Sequence, residues 1–201
     1  MSSLLEAGLI TSTSSAEISK LSLHSLNEPL VRGLISSALY PNIARIVLPA
    51  TKYEKISTGS LALDPEARAI KFFTSDVATE RFERVFIHPS STLFGATSFI
   101  DNSSFSAFFA RVQTSKTYLR DITPVSSLAI MLLCGNCIEI DQMGRGVCVG
   151  PLRLRAWARI GTLLAVLRRL LDARLHWKIQ NPELNILEDD VVVCLRKLVE
   201  C

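Results

Sequence analysis

Between residues 43 and 123 the apolar residues stop repeating at helical steps and fall into five short runs, at 43–48, 69–74, 84–88, 105–114 and 118–123. Each run is rich in β-branched or aromatic residues and is bounded by turn formers, the composition that suits a pleated, half-buried strand. Five short strands, with a polar excursion between the first and the second, predict a small barrel over 42–124.

The polar excursion between the first and second runs fits a Greek-key path, and a five-stranded barrel of that kind that hosts oligonucleotides is the OB-fold. The flanks read differently. Residues 1–38 carry Leu4, Leu5, Leu9 and Ile10, then a Ser/Thr-rich loop at 11–15, then Leu26, Leu30, Leu34 and Ile35 at helical spacing before Pro41. That pattern looks like the end of a helical bundle whose earlier part lies outside this sequence. After Pro124, residues 125–133 suit either a short helix or an apolar strand. Residues 137–140 with 147–154 form a candidate hairpin around a turn at 141–146. At 155–177, Ile160, Leu163, Leu164, Leu167, Leu170, Leu171 and Leu175 predict the clearest helix, with Arg159, Arg168, Arg169 and Arg174 between them. Pro182 ends it, and a last helix is expected from Glu188 or Asp189, either of which can cap its amides. The expectation is therefore an α+β chain: a helical remnant at 1–41, a five-stranded OB-like β-barrel at 42–124, and an extension of hairpin plus two helices at 125–201.

Composition narrows the function classes. At 201 residues and 48% apolar, the chain can bury a substantial core. A net charge of +3 is weak support for a polyanionic partner, but the charge is unevenly placed. Eight basic residues and one acid, Asp172, lie between Arg145 and Lys178. No apolar run reaches a membrane span, because Arg168 and Arg169 interrupt the longest candidate, so no membrane is expected among its partners. The start, Met1-Ser2-Ser3-Leu4-Leu5-Glu6, has no secretory pattern, which makes an intracellular location, cytoplasmic or nuclear, the expectation. Five cysteines at scattered positions suit buried thiols better than disulfides. Cys134-x-x-Cys137 has no matching second pair, so no metal site is expected.

Chemistry at a nucleotide is not expected of this chain alone. A phosphate-cradling loop needs a glycine followed by lysine and a hydroxyl, and none of the nine glycines is followed by lysine. His24, His88 and His176 sit in unrelated contexts, without a nucleophile elbow, an H-E-x-x-H or paired catalytic carboxylates. No catalytic residue is assigned.

Three segments then stand out in order: Leu39-Tyr40-Pro41-Asn42-Ile43-Ala44, Ile87-His88-Pro89-Ser90-Ser91, and Thr114-Ser115-Lys116-Thr117-Tyr118-Leu119-Arg120-Asp121. With Leu132-Leu133-Cys134-Gly135 and Val147-Cys148-Val149-Gly150, they resemble the C-terminal OB-fold region of DEAH/RHA-type (DExH-box) RNA helicases, in the branch whose barrel is followed by a hairpin and helix. That branch usually carries a Trp where Pro151 stands here. The resemblance covers about four-fifths of the chain. It implies a module that grips single-stranded or structured RNA at the exit of a helicase channel and offers a docking surface to a protein activator. Residues 1–41 would be the end of a ratchet-like helical bundle. ATP and magnesium would belong to helicase domains upstream in cis, leaving no cofactor here; a fragment, a truncated paralogue or a gene split from its motor are all compatible.

Such a barrel needs polar donors at its rim for phosphates and ribose. Thr114, Ser115, Lys116 and Arg120 fit, with an Arg120–Asp121 strand-end ion pair as the structural alternative. His88, Ser90 and Ser91 offer a ring and two hydroxyls, or else a turn in which Pro89 ends a strand. Tyr40-Pro41-Asn42 reads as the start of the barrel, with Arg45 a further RNA candidate. Phe105, Phe108 and Phe109 read as barrel core rather than stacking platforms. The arginines of the leucine-rich helix are either a basic docking face or a solvated one over a leucine core. Two functions follow: an RNA-binding, regulatory helicase module that is not catalytic alone, or a stand-alone protein-interaction module derived from one.

Overall fold

A computed structural model describes residues 2–8, 14–50, 52–56, 59–63, 66–75, 82–99, 104–141 and 146–200. Leu9, Ile10, residues 11–13 of the Ser/Thr-rich loop, residues 142–145 of the expected turn and Cys201 lie outside them. The chain divides into two compact units, Arg32–Ile130 and Met1–Val31 with Met131–Cys201.

Three helices come first: α1 (Ser2–Glu6), α2 (Ser15–Leu21) and α3 (Glu28–Leu39). Asn27 starts α3 by accepting the Leu30 amide on its side-chain oxygen at 3.1 Å. The leucine spacing predicted this helix, but its buried positions are small ones, Gly33 and Ser36, while Leu34 and Ile35 are exposed. Ser36 satisfies its hydroxyl on the Arg32 carbonyl, one turn back, at 2.8 Å.

Strand β1 (Ile43–Val47) opens the barrel, followed by β2 (Lys52–Ile56) and β3 (Gly59–Leu63), and then by β4 (Lys71–Ser75) and β5 (Phe82–Ile87). Strands β6 (Phe105–Gln113) and β7 (Thr117–Val125) complete it. The closed order is β1-β4-β5-β7-β6, antiparallel except for the β5–β7 pair. Closure leaves no barrel strand with an open edge, which is how a five-stranded sheet of short strands satisfies its backbone groups. The five expected strands are all present within a few residues. The excursion between the first two barrel strands is an antiparallel ribbon, β2 against β3, from Lys52↔Leu63 to Ile56↔Gly59.

Period-two alternation sends Ala44 and Ile46, Phe72, Val85 and Ile87, and Leu119 into the barrel, where each is buried; Ile122 is buried with them although it lies three positions after Leu119, because the left-handed Asp121 between them breaks the alternation. Phe99 closes on this core, its ring meeting Phe72 edge-on at 5.8 Å. Phe105 and Phe108 are buried as their sequence context suggested. Phe109 is not. Its neighbour Phe108 points inward, so alternation turns Phe109 outward, 68% exposed. One end of the barrel is tied by Glu83, which accepts the Thr117 hydroxyl at 2.7 Å and pairs with Arg111.

Residues 125–133, open between helix and strand, form helix α4 (Ser127–Leu133), capped by Ser126, whose hydroxyl accepts the Ala129 amide at 3.1 Å. In the terminal unit, β8 (Glu139–Ile140), β9 (Gly146–Val149) and β10 (Leu152–Arg155) make a three-stranded sheet in the order β10-β9-β8. The stretch 147–154, read as one hairpin arm, is itself a hairpin. It turns at Gly150, whose φ of +55° suits glycine, and at Pro151. Helices α5 (Ala158–Gln180) and α6 (Asp190–Glu200) follow. Asp189 caps α6 as expected, accepting the Val191 amide at 3.0 Å. Of the described cysteines, Cys134 is buried as expected, whereas Cys137 and Cys194 are exposed free thiols.

Helix α5 departs from its sequence reading. Leu164 and Gly161 are buried, whereas Leu163 is 69% exposed and Leu170 and Trp177 are also exposed. Its arginines are not equivalent either. Arg168 is a structural residue whose guanidinium donates to the carbonyls of Leu132 at 2.7 Å and Gly135 at 2.8 Å and pairs with Asp172. The Leu132 carbonyl is in the last turn of α4, where no intrahelical donor remains, and the Gly135 carbonyl lies just beyond it. Arg174 pairs with Asp189 at 2.9 Å.

Candidate nucleic-acid interface

Strands β5 and β7 run parallel with Phe86 opposite Tyr118 and Ile87 opposite Leu119. Outward positions are two residues apart, so Arg84 and Phe86 on β5 and His88 just after it stand beside Lys116, just before β7, and Tyr118 and Arg120 on it. The parallel direction matters. It sets two sequences of the same polarity, Arg-x-Phe-x-His and Lys-x-Tyr-x-Arg, side by side, so cations gather at the ends of the face and rings in its middle.

The contacts follow that layout. The Arg84 guanidinium carbon lies 5.1 Å and the Lys116 ammonium 4.8 Å from the Phe86 ring centroid. Phe86 and Tyr118 are 6.1 Å apart, and His88 meets Tyr118 edge-on at 5.9 Å. At the far end, the Ser90 amide donates to His88 Nδ1 at 3.1 Å, the Ser90 hydroxyl is 2.7 Å from the same nitrogen, and Arg120 donates to Ser90 Oγ at 3.3 Å. Residues 88–91 thus form a turn, with the Ser91 amide on the His88 carbonyl at 2.9 Å. Among the described residues no ion pair joins Arg120 to Asp121. Asp121 instead takes φ +52° within β7, a left-handed kink.

The sequence candidates therefore separate. His88, Ser90, Lys116 and Arg120 share the β5–β7 face, and Ser91 lies at its margin in the turn. Thr114 and Ser115 lie in the short connection from β6 to β7, where the Thr114 amide and hydroxyl both donate to the Lys116 carbonyl, at 3.0 and 3.4 Å. The Thr114 hydroxyl is thus engaged in shaping the loop that presents Lys116. Arg45 is exposed on β1, which pairs with β4 and β6 and so stands away from the β5–β7 pair. Arg84, Phe86 and Tyr118 were not singled out from the sequence, although the repeated cation-x-aromatic alternation was visible in it.

Beside this face opens a cleft of about 540 Å³ lined by Arg68, Arg84, Phe86, Phe94 and Tyr118 over a floor that includes Ile70 and Val85. No carboxylate lines it among the described residues. Cationic groups beside half-buried rings, with no carboxylate among the described lining residues, suit phosphates flanking flat apolar groups.

Comparisons with known proteins agree with the fold. Residues 31–138 match the oligonucleotide/oligosaccharide-binding (OB)-fold family, and residues 147–201 match the C-terminal domain in RNA helicases. The chain belongs to the OB-fold and C-terminal region of DEAH-box RNA helicases. Over 174 residues it is 34% identical to ucp12 of Schizosaccharomyces pombe, which bears an ATP-dependent RNA helicase name, covering 86% of this chain and 13% of that protein. It is 39% identical to a protein of Mycosarcoma maydis that bears a DEAH-box ATP-dependent helicase name, covering 77% of this chain and 10% of the relative. It is 28% identical to the ATP-dependent DNA/RNA helicase DHX36 of Bos taurus, covering 89% and 16%. The chain thus spans between 10% and 16% of the length of these relatives. No helix among the described residues is long and apolar enough to cross a membrane.

Proposed function

We propose that this chain is an RNA-binding, regulatory module of a DExH-box helicase, gripping single-stranded RNA on the β5–β7 face and doing no chemistry of its own. The observation that carries this reading is the row of Arg84, Lys116 and Arg120 around Phe86 and Tyr118 on one face of a closed OB barrel. Cations set the polymer's register through phosphates, and the rings accept any base, so the grip is sequence-tolerant. ATP and magnesium act only in helicase domains in cis, and the location is intracellular, cytoplasmic or nuclear.

The test is anisotropy of a labelled uridine 12-mer. Binding weakens steeply with salt, and Lys116→Ala with Arg120→Ala lowers affinity and flattens the slope of log affinity against log salt by about 0.7 per lost phosphate contact, without lowering the melting temperature. Loss of folding in that variant makes the two cations structural and removes the support they give.

A second reading, a protein-interaction module, rests on α5, where Leu163, Leu170 and Trp177 are exposed. Binding of an activator unaffected by salt or by the Lys116 and Arg120 changes distinguishes it.

A further inference from the structure

Resting on that RNA-binding reading, we propose that the cleft beside Phe86 and Tyr118 seats one unstacked nucleobase of the bound strand, with Phe94 as its stacking partner and Arg68 and Arg84 meeting the flanking phosphates. The cleft holds about 540 Å³, inside the range of roughly 300–1,000 Å³ found for sites that enclose a small flat ligand. Apart from Arg68 and Arg84 its lining is uncharged, mostly apolar and aromatic with Phe86, Phe94 and Tyr118 among it, and its charged lining is wholly cationic among the described residues. That combination, an uncharged seat under a positive rim, matches a base attached to a phosphodiester. An apolar peptide gains nothing from the arginines.

Phe94 supplies the second observation. It is 52% exposed yet lies on an ordered turn, its amide donating to the Ser91 carbonyl at 3.0 Å and the Ala96 amide to that of Leu93 at 3.2 Å. The backbone hydrogen bonds hold the Phe94 Cα beside the cleft that its ring helps to line, so an exposed aromatic surface is at hand for stacking. The mouth is open. A Cβ added at Gly95 would meet nothing within 4 Å. The turn also carries Ser90, which bonds both His88 and Arg120, so the phosphate-facing end and the base seat are held by one loop.

The experiment compares a uridine 12-mer with the same ribose-phosphate chain carrying abasic sites, each against wild type, Phe94→Ala and Gly95→Trp. Phe94→Ala is expected to weaken the uridine oligomer about tenfold, leave its salt slope unchanged, and leave the abasic chain's affinity at the wild-type value. Gly95→Trp, which fills the mouth and removes no contact, is expected to reproduce that loss if Phe94→Ala perturbs folding. Wild-type affinity of Gly95→Trp for the uridine oligomer overturns the base seat, and so does an equal loss on both oligomers. The RNA-binding reading survives either result as long as Lys116→Ala with Arg120→Ala still loses affinity. Wild-type protein that binds neither oligomer in a salt-dependent way overturns both. Preferential binding of an aromatic-rich peptide, blocked by Gly95→Trp, assigns the cleft to protein and also overturns the base seat.

Discussion

The barrel and the terminal unit solve the same problem by different means. In Arg32–Ile130 the sheet closes on itself, so strand pairing runs around the whole ring over an aliphatic and aromatic interior, and polar side chains add few ties, Thr74 on the Ile43 carbonyl at 3.4 Å and Glu83 with Thr117 and Arg111. In the terminal unit the sheet is three short strands, two residues long at β8, and the helices are fixed by point contacts. Arg168 holds carbonyls at and just after the end of α4, Arg174 holds Asp189, and His24 and Asn27 reach Arg196 and Glu200 on α6 at 2.6 and 2.8 Å. The two units therefore differ in what their polar side chains are free to do. A closed barrel can give its outer face to cations and rings, whereas Arg168, Arg174, Arg196 and Glu200 of the terminal unit are engaged in holding its elements together.

Breaking the contrast most strongly should require only Arg168. Arg168→Ala strands the Leu132 and Gly135 carbonyls, and a loss of about 2–4 kcal/mol is expected, confined to the terminal unit. Hydrogen exchange resolves this: amides of α5 and α6 should open while those of β1 and β7 keep wild-type protection. Gly161→Ala comes next. Its added Cβ would lie 2.8 Å from the Val147 side chain, which is fully buried, so overpacking of about 1–3 kcal/mol outweighs the gain of roughly 1 kcal/mol in helix propensity. A lower melting temperature with an unchanged RNA affinity is the expected pair of readings. Glu83→Gln gives a smaller effect, about 0.5–1 kcal/mol in urea unfolding, because the Arg111 and Glu83 side chains are 36% and 41% exposed.

Acidity sharpens the comparison at a single thiol. Burial raises the Cys134 pKa to about 11, opposed by the nearby Arg168 charge. A thiol harder to ionise folded than unfolded stabilises the fold equally at all pH below 9, and that stabilisation is lost as pH rises from 9 to about 11. Melting temperatures across this window should fall, and less so in Cys134→Ala. At neutral pH alkylation of the native protein should reach exposed Cys137 and Cys194 before Cys134.

Strands were legible because their signal is local: Ile43, Phe72 and Leu119 sit in short β-branched and aromatic runs that need no knowledge of the rest. The closing helix was legible from Asp189 for the same reason. What could not be read is what depends on which segments meet. Phe86 and Tyr118 become one surface only because β5 and β7 pair in parallel, and periodicity within a strand is silent on its partner. The same limit explains Arg168, whose carbonyl acceptors lie in another element, and Leu163, which the helical repeat alone places with Leu164 although only Leu164 is buried.

The most direct test of the central claim is hydrogen exchange of the wild-type protein with and without a saturating uridine 12-mer. Slowed exchange confined to residues 84–96 and 114–120 is the result that RNA binding on the β5–β7 face requires. Unchanged exchange there, with protection appearing instead on β1 around Arg45 or along α5, would contradict it.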